Sequence, residues 1–522
     1  MAAPKTVSAA GRWLALIAAL LGWMFDGLEM GLFPVVARPA LRELLHTKER
    51  AQAEAALIGS IELPRIEKDL ESEVGRWYGV ITAGFLVGAA TGGVLFGWLG
   101  DKIGRVKALT LSVVVYAGCS GMCAFAADPW QLAGLRFAGA LGMGGEWALG
   151  VALVMELWAG ANRGWLAGWI GAFGNLGYFI IGSVVLVLNR VGSELPEVLT
   201  TLGVSDDWNA RLTANGNWRL LMLVGALPAV LTLFIRFFVP ESEKWAKAKA
   251  EGGASFWSGK DLIAVLIGAA AASGMIAVWA LNLDLIIAIP VTLAALIVVT
   301  AGYLFPARQY LSRATSDPLE RSRTLWRMLL AAGLSGVPLL ATWAGVMWMY
   351  NWADVLTEHL PKDDMVRKDA KALTQIASSL GAAAGCVVGA VLGGRFGRRP
   401  VYAGLCVLSF GTLMGFYLLN TTYGWEFVAS AGLVGFITAA FYGWLPLYLP
   451  ELFRTAVRAT GQGFGFNFGR ILAAVGALQM GNLLAAFDND YAKACSIAAG
   501  IYIVGLALIY FAPETKGRPL PE

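Results

Sequence analysis

Two acids lie inside an apolar run, at Asp26 and Glu29 of the stretch GWMFDGLEMGLF, Gly22 to Phe33. The run extends from Trp13 to Val36. About 20 helical residues at ~1.5 Å each cover the ~30 Å hydrocarbon core of a bilayer, so it is long enough to span. A carboxylate at that depth costs at least ~2.5–3.5 kcal/mol unless it is protonated, paired or facing water. Three residues apart, the two acids share one helix face. Such a pair can load and release a proton, or hold a cation or polar substrate in a pore. The plainer reading is a helix end set deep, or a buried structural salt bridge.

Other polar residues sit equally far inside apolar runs. Arg136 lies about two turns into its run, at a depth like that of Glu29, and an arginine there needs an anion. It is expected to bind a substrate carboxylate, or to pair with Glu29 or Asp26 when the site is empty; the alternative is a permanent Arg–Glu lock. Glu146, ten residues on, is a second protonatable group or a hydrogen-bonded packing residue. Arg470 falls near the middle of a late run, with Asn467 one turn away on the same face.

The elements that must carry these residues are membrane helices. Of 522 residues, 57% are hydrophobic and 15% charged, with a mean hydropathy of +0.63. That is not a soluble mixture; it is one polytopic, all-α integral membrane protein. Fourteen spans are expected, near 13–36, 77–100, 107–127, 130–155, 165–189, 218–239, 262–281, 285–305, 327–350, 372–393, 400–419, 425–448, 463–485 and 492–512. A charged loop, 38–74, follows the first. Basic residues gather after the even-numbered spans, as with Lys102, Arg105 and Lys107, or Arg395, Arg398 and Arg399. By the positive-inside bias, both termini are cytoplasmic in an inner or plasma membrane of bacterial type. The net charge of +4 resides in these short loops and gives no reason to expect nucleic acid. The five cysteines show no metal spacing, and no nucleophile–base set marks an enzyme. Both histidines, His46 and His359, fall in outer loops, so a proton relay must use carboxylates.

The loops repeat. GWLGDKIGRVK (97–107) follows the second span and GAVLGGRFGRRP (389–400) the tenth; Glu156/Arg163 and Glu451/Arg458 share one spacing; PESEKW (240–245) and PETKGRP (513–519) each close a six-span set. The chain thus reads as an N-terminal six-helix bundle, 1–245, a cytoplasmic linker with two extra spans, 246–326, and a C-terminal six-helix bundle with a short tail, 327–522. Duplicated bundles of this kind are a transporter architecture with the site between the halves. The repeat sets Asn175 opposite Arg470 across that cavity. Trp343, Trp348, Tyr350 and Trp352 either line the pore or anchor the helix at the membrane interface.

These signatures resemble the major facilitator superfamily. GWLGDKIGRVK is similar to its loop motif, with a weaker second copy in which Gly394 replaces Asp101. The resemblance therefore places that salt bridge in the first half. RFAGALGMGGEWALG (136–150), YLPELFRTAVRATGQGFGFNFGR (448–470) and DGLE (26–29) resemble the metabolite:proton symporters. That branch carries aromatic acids, dicarboxylates and sialic acid, and two extra central spans resemble its bacterial sialic acid transporters. The loop residues are expected to form a cytoplasmic gate. Asp101 can face a helix N-terminus, Arg105 can reach a carboxylate such as Glu156, and Gly97 and Gly104 permit close helix approach. Arg163, Arg398, Glu451 and Arg458 complete the set.

The expected function is proton-coupled uptake of a small organic anion by alternating access. Asp26, Glu29, Arg136, Glu146, Asn175, Asn467 and Arg470 form the site. A sugar or polyol symporter is the alternative, and a non-transporting membrane sensor a remote one. No cofactor or metal is expected, Na⁺ being the open alternative to H⁺. The partners are the solute, the proton and the bilayer, and the chain is expected to act as a monomer.

Overall fold

The structure is a computed structural model that describes residues 9–46, 63–157, 163–230, 259–281, 283–314, 317–361, 363–454, 458–488, 490–518 and 521. Among these residues every regular element is helical. In chain order they are α1 (Ala9–Leu45), α2 (Leu63–Ile103), α3 (Arg105–Met122), α4 (Pro129–Leu157) and α5 (Arg163–Val191). Then come α6 (Leu195–Thr201), α7 (Asp206–Thr213) and α8 (Trp218–Val224), followed by α9 (Gly259–Ala280) and α10 (Leu285–Ala314). The remainder are α11 (Pro318–Ala341), α12 (Trp348–Leu356), α13 (Met365–Phe396), α14 (Arg398–Leu419), α15 (Trp425–Tyr448), α16 (Arg458–Ala486), α17 (Tyr491–Ala499) and α18 (Ile501–Tyr510).

Eleven described helices are long and apolar enough to cross a membrane. They cover eleven of the fourteen expected spans. The expected spans near 130–155 and 463–485 coincide with α4 and α16, each of 29 residues. The one near 218–239 is described only to Val230. The helices overrun the expected spans at the acidic end. α1 continues to Leu45 through Pro34 and Pro39, and α2 begins at Leu63, so part of the expected loop 38–74 is helix. Aspartates cap several starts: Asp317 accepts from the Leu319 amide, Asp364 from Val366 and Asp490 from Lys493.

Two helix groups pack side by side. In the first, α1 lies on α5 and α2 on α4; in the second, α13 lies on α15 and α11 on α16. The groups meet along two seams, α5 against α13 and α2 against α16. Glycine sets the closeness within each group. A Cβ on Gly144 of α4 would sit 1.8 Å from the Ala89 carbonyl oxygen of α2, and one on Gly443 of α15 1.8 Å from that of Cys386 on α13. The backbones touch there, as in close-packed membrane helices.

The hairpin α9–α10 packs on α2 and also touches α11 and α16. The Tyr303 and Thr91 hydroxyls hydrogen-bond at 2.6 Å. Its far face, including Ile286, Leu293 and Ile297, is exposed and apolar, the surface a lipid tail would cover.

Candidate substrate-binding site

Between the groups lies a cavity of about 160 Å³. Asp26 enters from α1, Asn175 and Tyr178 from α5, Ser378 and Ser379 from α13, and Thr438 and Tyr442 from α15, while Arg470 comes from α16. The helix α11 gives way to a π-helical turn, Thr342–Val346, before α12, with the Met347 amide bonded to the Thr342 carbonyl at 2.9 Å. π-turns are common at functional sites, and Thr342 and Trp343 of this one line the cavity.

Asp26 and Arg470 are the charged residues of the lining. Both are buried. The Asp26 and Glu146 carboxyl groups are neighbours, and Asp26 is near enough to Arg470 for their charges to interact. Two buried carboxyl groups side by side are costly to ionise together, and one proton shared between them would relieve that cost. Gly22 makes the contact possible, since a Cβ there would stand 1.9 Å from Glu146 Oε1. Tyr116 lies beside the same carboxyl.

Arg470 is held loosely. Its Nη1 is 3.5 Å from the Ala89 carbonyl oxygen and 3.4 Å from Asn467 Oδ1, and its guanidinium lies 5.1 Å from the Phe466 ring centroid. Among the described residues no carboxylate comes within ion-pair distance of it. Asn175 donates to the Gly171 carbonyl and toward Cys386 Sγ. Asn175 and Arg470 line one cavity from opposite groups, the placement inferred from the repeat. Asn467 packs over Gly93 of α2 and is absent from the lining.

Glu29 and Arg136 form a different unit. They pair with each other, both buried. The guanidinium sits between the Phe33 and Phe85 rings, 4.8 and 4.7 Å from their centroids. Neither lines the cavity. Of the two arrangements expected for Arg136, the described conformation has the pair with Glu29.

The aromatic residues after Trp343 divide. Trp343 and Tyr350 line the cavity. Trp348 lines a second space nearer the Arg38 end. Trp352 stacks on Tyr417 at 5.0 Å, within the second group.

At the opposite end, three loop signatures of the second group converge. Arg398 Nε and Nη2 donate to Glu451 at 2.9 and 2.6 Å, and Thr515 donates its hydroxyl to the same carboxylate. Glu514 accepts from the Arg398 and Arg399 amides at 3.0 Å. Burial pushes its pKa up, but four backbone N–H donors outweigh that and hold it below the usual carboxylate value. The copy without the motif aspartate therefore does hold an ion pair, because Glu451 and Glu514 reach its arginine from other loops. Gly397 at φ 106° and Gly104 at φ 115° occupy equivalent turns, where only glycine is unstrained. The side chains of Asp101, Arg105, Glu156, Arg163 and Arg458 lie outside the described residues, as does the surrounding of Gly97.

The acidic end carries a latch that the sequence reading did not find. Arg38 of α1 pairs with Asp354 at 2.7 Å and Glu358 at 2.8 Å, across the two groups, and with Glu71 of its own group at 2.9 Å. Lys371 holds Asp354 at 3.1 Å, and Arg190 of α5 reaches Asp369 of α13 at 2.8 Å. The groups are thus tied at this end.

The family model described as "Sugar (and other) transporter" matches residues 14–255 and 306–522. The chain belongs to this family of the major facilitator superfamily. The match steps over 256–305, which holds all of α9 and most of α10. Among relatives, "Inner membrane metabolite transport protein YgcS" of Escherichia coli is 25% identical over 453 residues, 85% of this chain and 84% of that one. "Probable 4-methylmuconolactone transporter" of Cupriavidus pinatubonensis is 25% identical over 503 residues, 95% and 89%. The proton:xylose symporter XylE shares the fold at a TM-score of 0.60 and 17% identity, over 99% of this chain and 98% of that one. The human organic anion transporter MFSD10 does so at 0.56 and 17%, over 95% and 99%. The protein is therefore a multi-pass membrane transporter of the metabolite and sugar class.

Proposed function

We propose that the protein imports a small organic anion together with a proton. Arg470 carries the reading: a buried cation, without a carboxylate partner among the described residues, in a cavity walled by both helix groups. A substrate carboxylate would complete it, and the hydroxyls of Ser378, Thr438 and Tyr442 suit a hydroxylated or aromatic acid. Sialic acid-like, aromatic and dicarboxylic acids fit this description. Glu29 and Arg136 stiffen the wall beside Asp26, with Arg136 open to a carboxylate in another conformation, and Asn467 seats Arg470.

Charge balance supports the proton. The Asp26–Glu146 pair with one proton carries a single negative charge, which Arg470 offsets. An incoming monoanion leaves one negative charge uncompensated in a low-dielectric cavity, and a second proton on the pair restores neutrality. One proton per monoanion follows.

In this reading the chain has fourteen spans: two six-helix bundles, 1–245 and 327–522, and the inserted pair within 246–326. The positive-inside bias puts both termini and the Arg398 end in the cytoplasm and the Arg38 latch outside. The described conformation is then shut outside. Asp101, Arg105, Glu156 and Arg163 form the first-half counterpart of the Arg398–Glu451 cluster, with Gly97 and Arg458 at its edges. The chain acts as a monomer.

A neutral sugar is the second reading, favoured by the uncharged remainder of the lining. The test is uptake of radiolabelled sialic acid into proteoliposomes under an inward proton gradient, with an Asp26→Asn control. Gradient-driven accumulation lost in the variant supports both parts. No uptake of sialic acid, aromatic acids or dicarboxylates by folded protein, with uptake of neutral sugars, overturns the anion.

A further inference from the structure

The seam of α5 against α13 carries a second tie between the groups, deeper than the Arg38 latch. Gln375 of α13 is fully buried. Its Nε2 donates to the Gly31 carbonyl of α1 at 3.2 Å and to the Tyr178 carbonyl of α5 at 3.0 Å. One side-chain amide of the second group thus reaches two backbones of the first, with both of its hydrogens engaged. Gly31 leaves the room for it, since a Cβ there would stand 2.9 Å from Nε2.

The tie falls between chamber and latch on all three helices. On α13, Ser378 and Ser379 line the central cavity one turn to one side of Gln375, and Lys371, one turn to the other, holds Asp354. On α1, Asp26 and Met30 line the cavity, while Arg38 belongs to the latch. On α5, Tyr178 lines the cavity, while Arg190 reaches Asp369. Gln375 is absent from the lining, so it adjoins the chamber without facing into it.

Neither a carboxamide nor a backbone carbonyl titrates, so this layer holds irrespective of pH. It is also readily parted. Gln375 Oε1 is buried with no partner among the described residues. Separating the groups exchanges two bonds for equivalent ones to water and relieves Oε1 as well, which keeps the preference for closure modest.

We propose that Gln375 is a positioning residue of the transport cycle: the inner gate toward the Arg38 end, which seals the chamber by bridging α1 and α5 and must let go before a solute passes that way. The proposal rests on the central cavity being the transport chamber, and on no choice of solute or coupling ion.

Gln375→Glu tests it. The substitution keeps the shape. Ionised, it sets a carboxylate against two carbonyl oxygens; protonated, it still donates one bond. Nitroxide labels at Glu197 and Thr421, exposed on opposite groups at the Arg38 end, read the separation in purified full chain without solute. At pH 8 the ratio of long- to short-distance populations should exceed that of the unsubstituted protein at least tenfold, and acidification to pH 5 should reverse most of the excess, because the closed form favours the protonated carboxyl. Titration of Asp26 and Glu146 on the chamber side, or of Lys371, Asp354, Glu71 and Glu358 on the latch side, is common to both proteins, so the unsubstituted protein at each pH is the reference. Gly31→Ala, which crowds Nε2, should raise the ratio equally at both pH values, and it decides the matter should Gln375→Glu fail to fold. Folded Gln375→Glu protein with an unaltered distribution at both pH values overturns the gate. An excess that acid does not reverse reports repacking alone and overturns it too. No solute enters this measurement, so a failure of the anion uptake test leaves its outcome unchanged.

Discussion

Replacing Arg38 by glutamine should shift the protein toward the form open at the Arg38 end. Arg38 makes two ion pairs across the groups, to Asp354 and Glu358. The Asp354 side chain is 25% exposed and bonded at 2.7 Å, so it counts as a charge-assisted hydrogen bond of about 1.5–3 kcal/mol. Glu358 is 42% exposed, and solvent screening reduces its pair to a few tenths of a kcal/mol. Both are lost when the groups part, so together they favour closure by about 2 kcal/mol, roughly a 30-fold population ratio. The bond of Arg38 to Glu71 lies within one group and cancels. Electron–electron distance measurements between labels at Glu197 and Thr421, in a background lacking the five native cysteines, read the ratio directly. Arg38→Gln should raise the long-distance population by about that factor at low occupancy. The charge swap Arg38→Asp with Asp354→Arg should restore part of the short one. Folded Arg38→Gln protein with an unaltered distribution would refute the latch.

Other outcomes follow from the same geometry. Gly22→Ala puts a Cβ onto the Glu146 carboxyl, which can move aside, so the fold should persist while gradient-driven uptake falls at least about tenfold, the worth of one charged hydrogen bond; pH-jump uptake assays with the variant check this. Uptake of a monoanion should be electroneutral, so a valinomycin-imposed potassium potential should leave the initial rate unchanged, and a potential-dependent rate would dismiss the one-to-one charge count. Glu514 is held below its unfolded value of 4.5 by backbone donors. Its stabilisation of the α14 start is therefore full above that value and disappears as pH falls through the lower folded one. The melting difference between wild type and Glu514→Gln should close on acidification across that window.

Much of the central site could be read from residues in the wrong solvent. Asp26, Glu146 and Arg470 stand out because an ionisable group in an apolar run needs a reason, and the repeat in the sequence sets Asn175 opposite Arg470. Ser378, Thr438 and Tyr442 gave no such signal, since single hydroxyls are ordinary in membrane helices and usually bond their own backbone, as Thr438 does to the Val434 carbonyl. Arg38 and Asp354 each resemble an ordinary charged helix end, and their pairing joins positions 316 residues apart, which neither periodicity nor spacing encodes. The motif copy without its aspartate misled for a related reason. Its partners, Glu451 and Glu514, come from loops 53 and 116 residues further along the chain.

The π-turn at Thr342–Val346 has a consequence for how this helix can change over time. Such a turn accommodates one residue more than an α-helix would over the same rise, and each residue is worth about 100° of rotation. Everything beyond Met347 is therefore turned by that angle relative to an uninterrupted helix. Of the residues beyond the turn, Tyr350 lines the central chamber with Trp343, and Trp348 and Asn351 line the other. Deleting the surplus residue would swing both sets off their walls without altering any side chain's identity. Insertion or deletion at this point, unlike a substitution, would therefore reshape both compartments at once, since Tyr350 lines the central one and Trp348 and Asn351 the other.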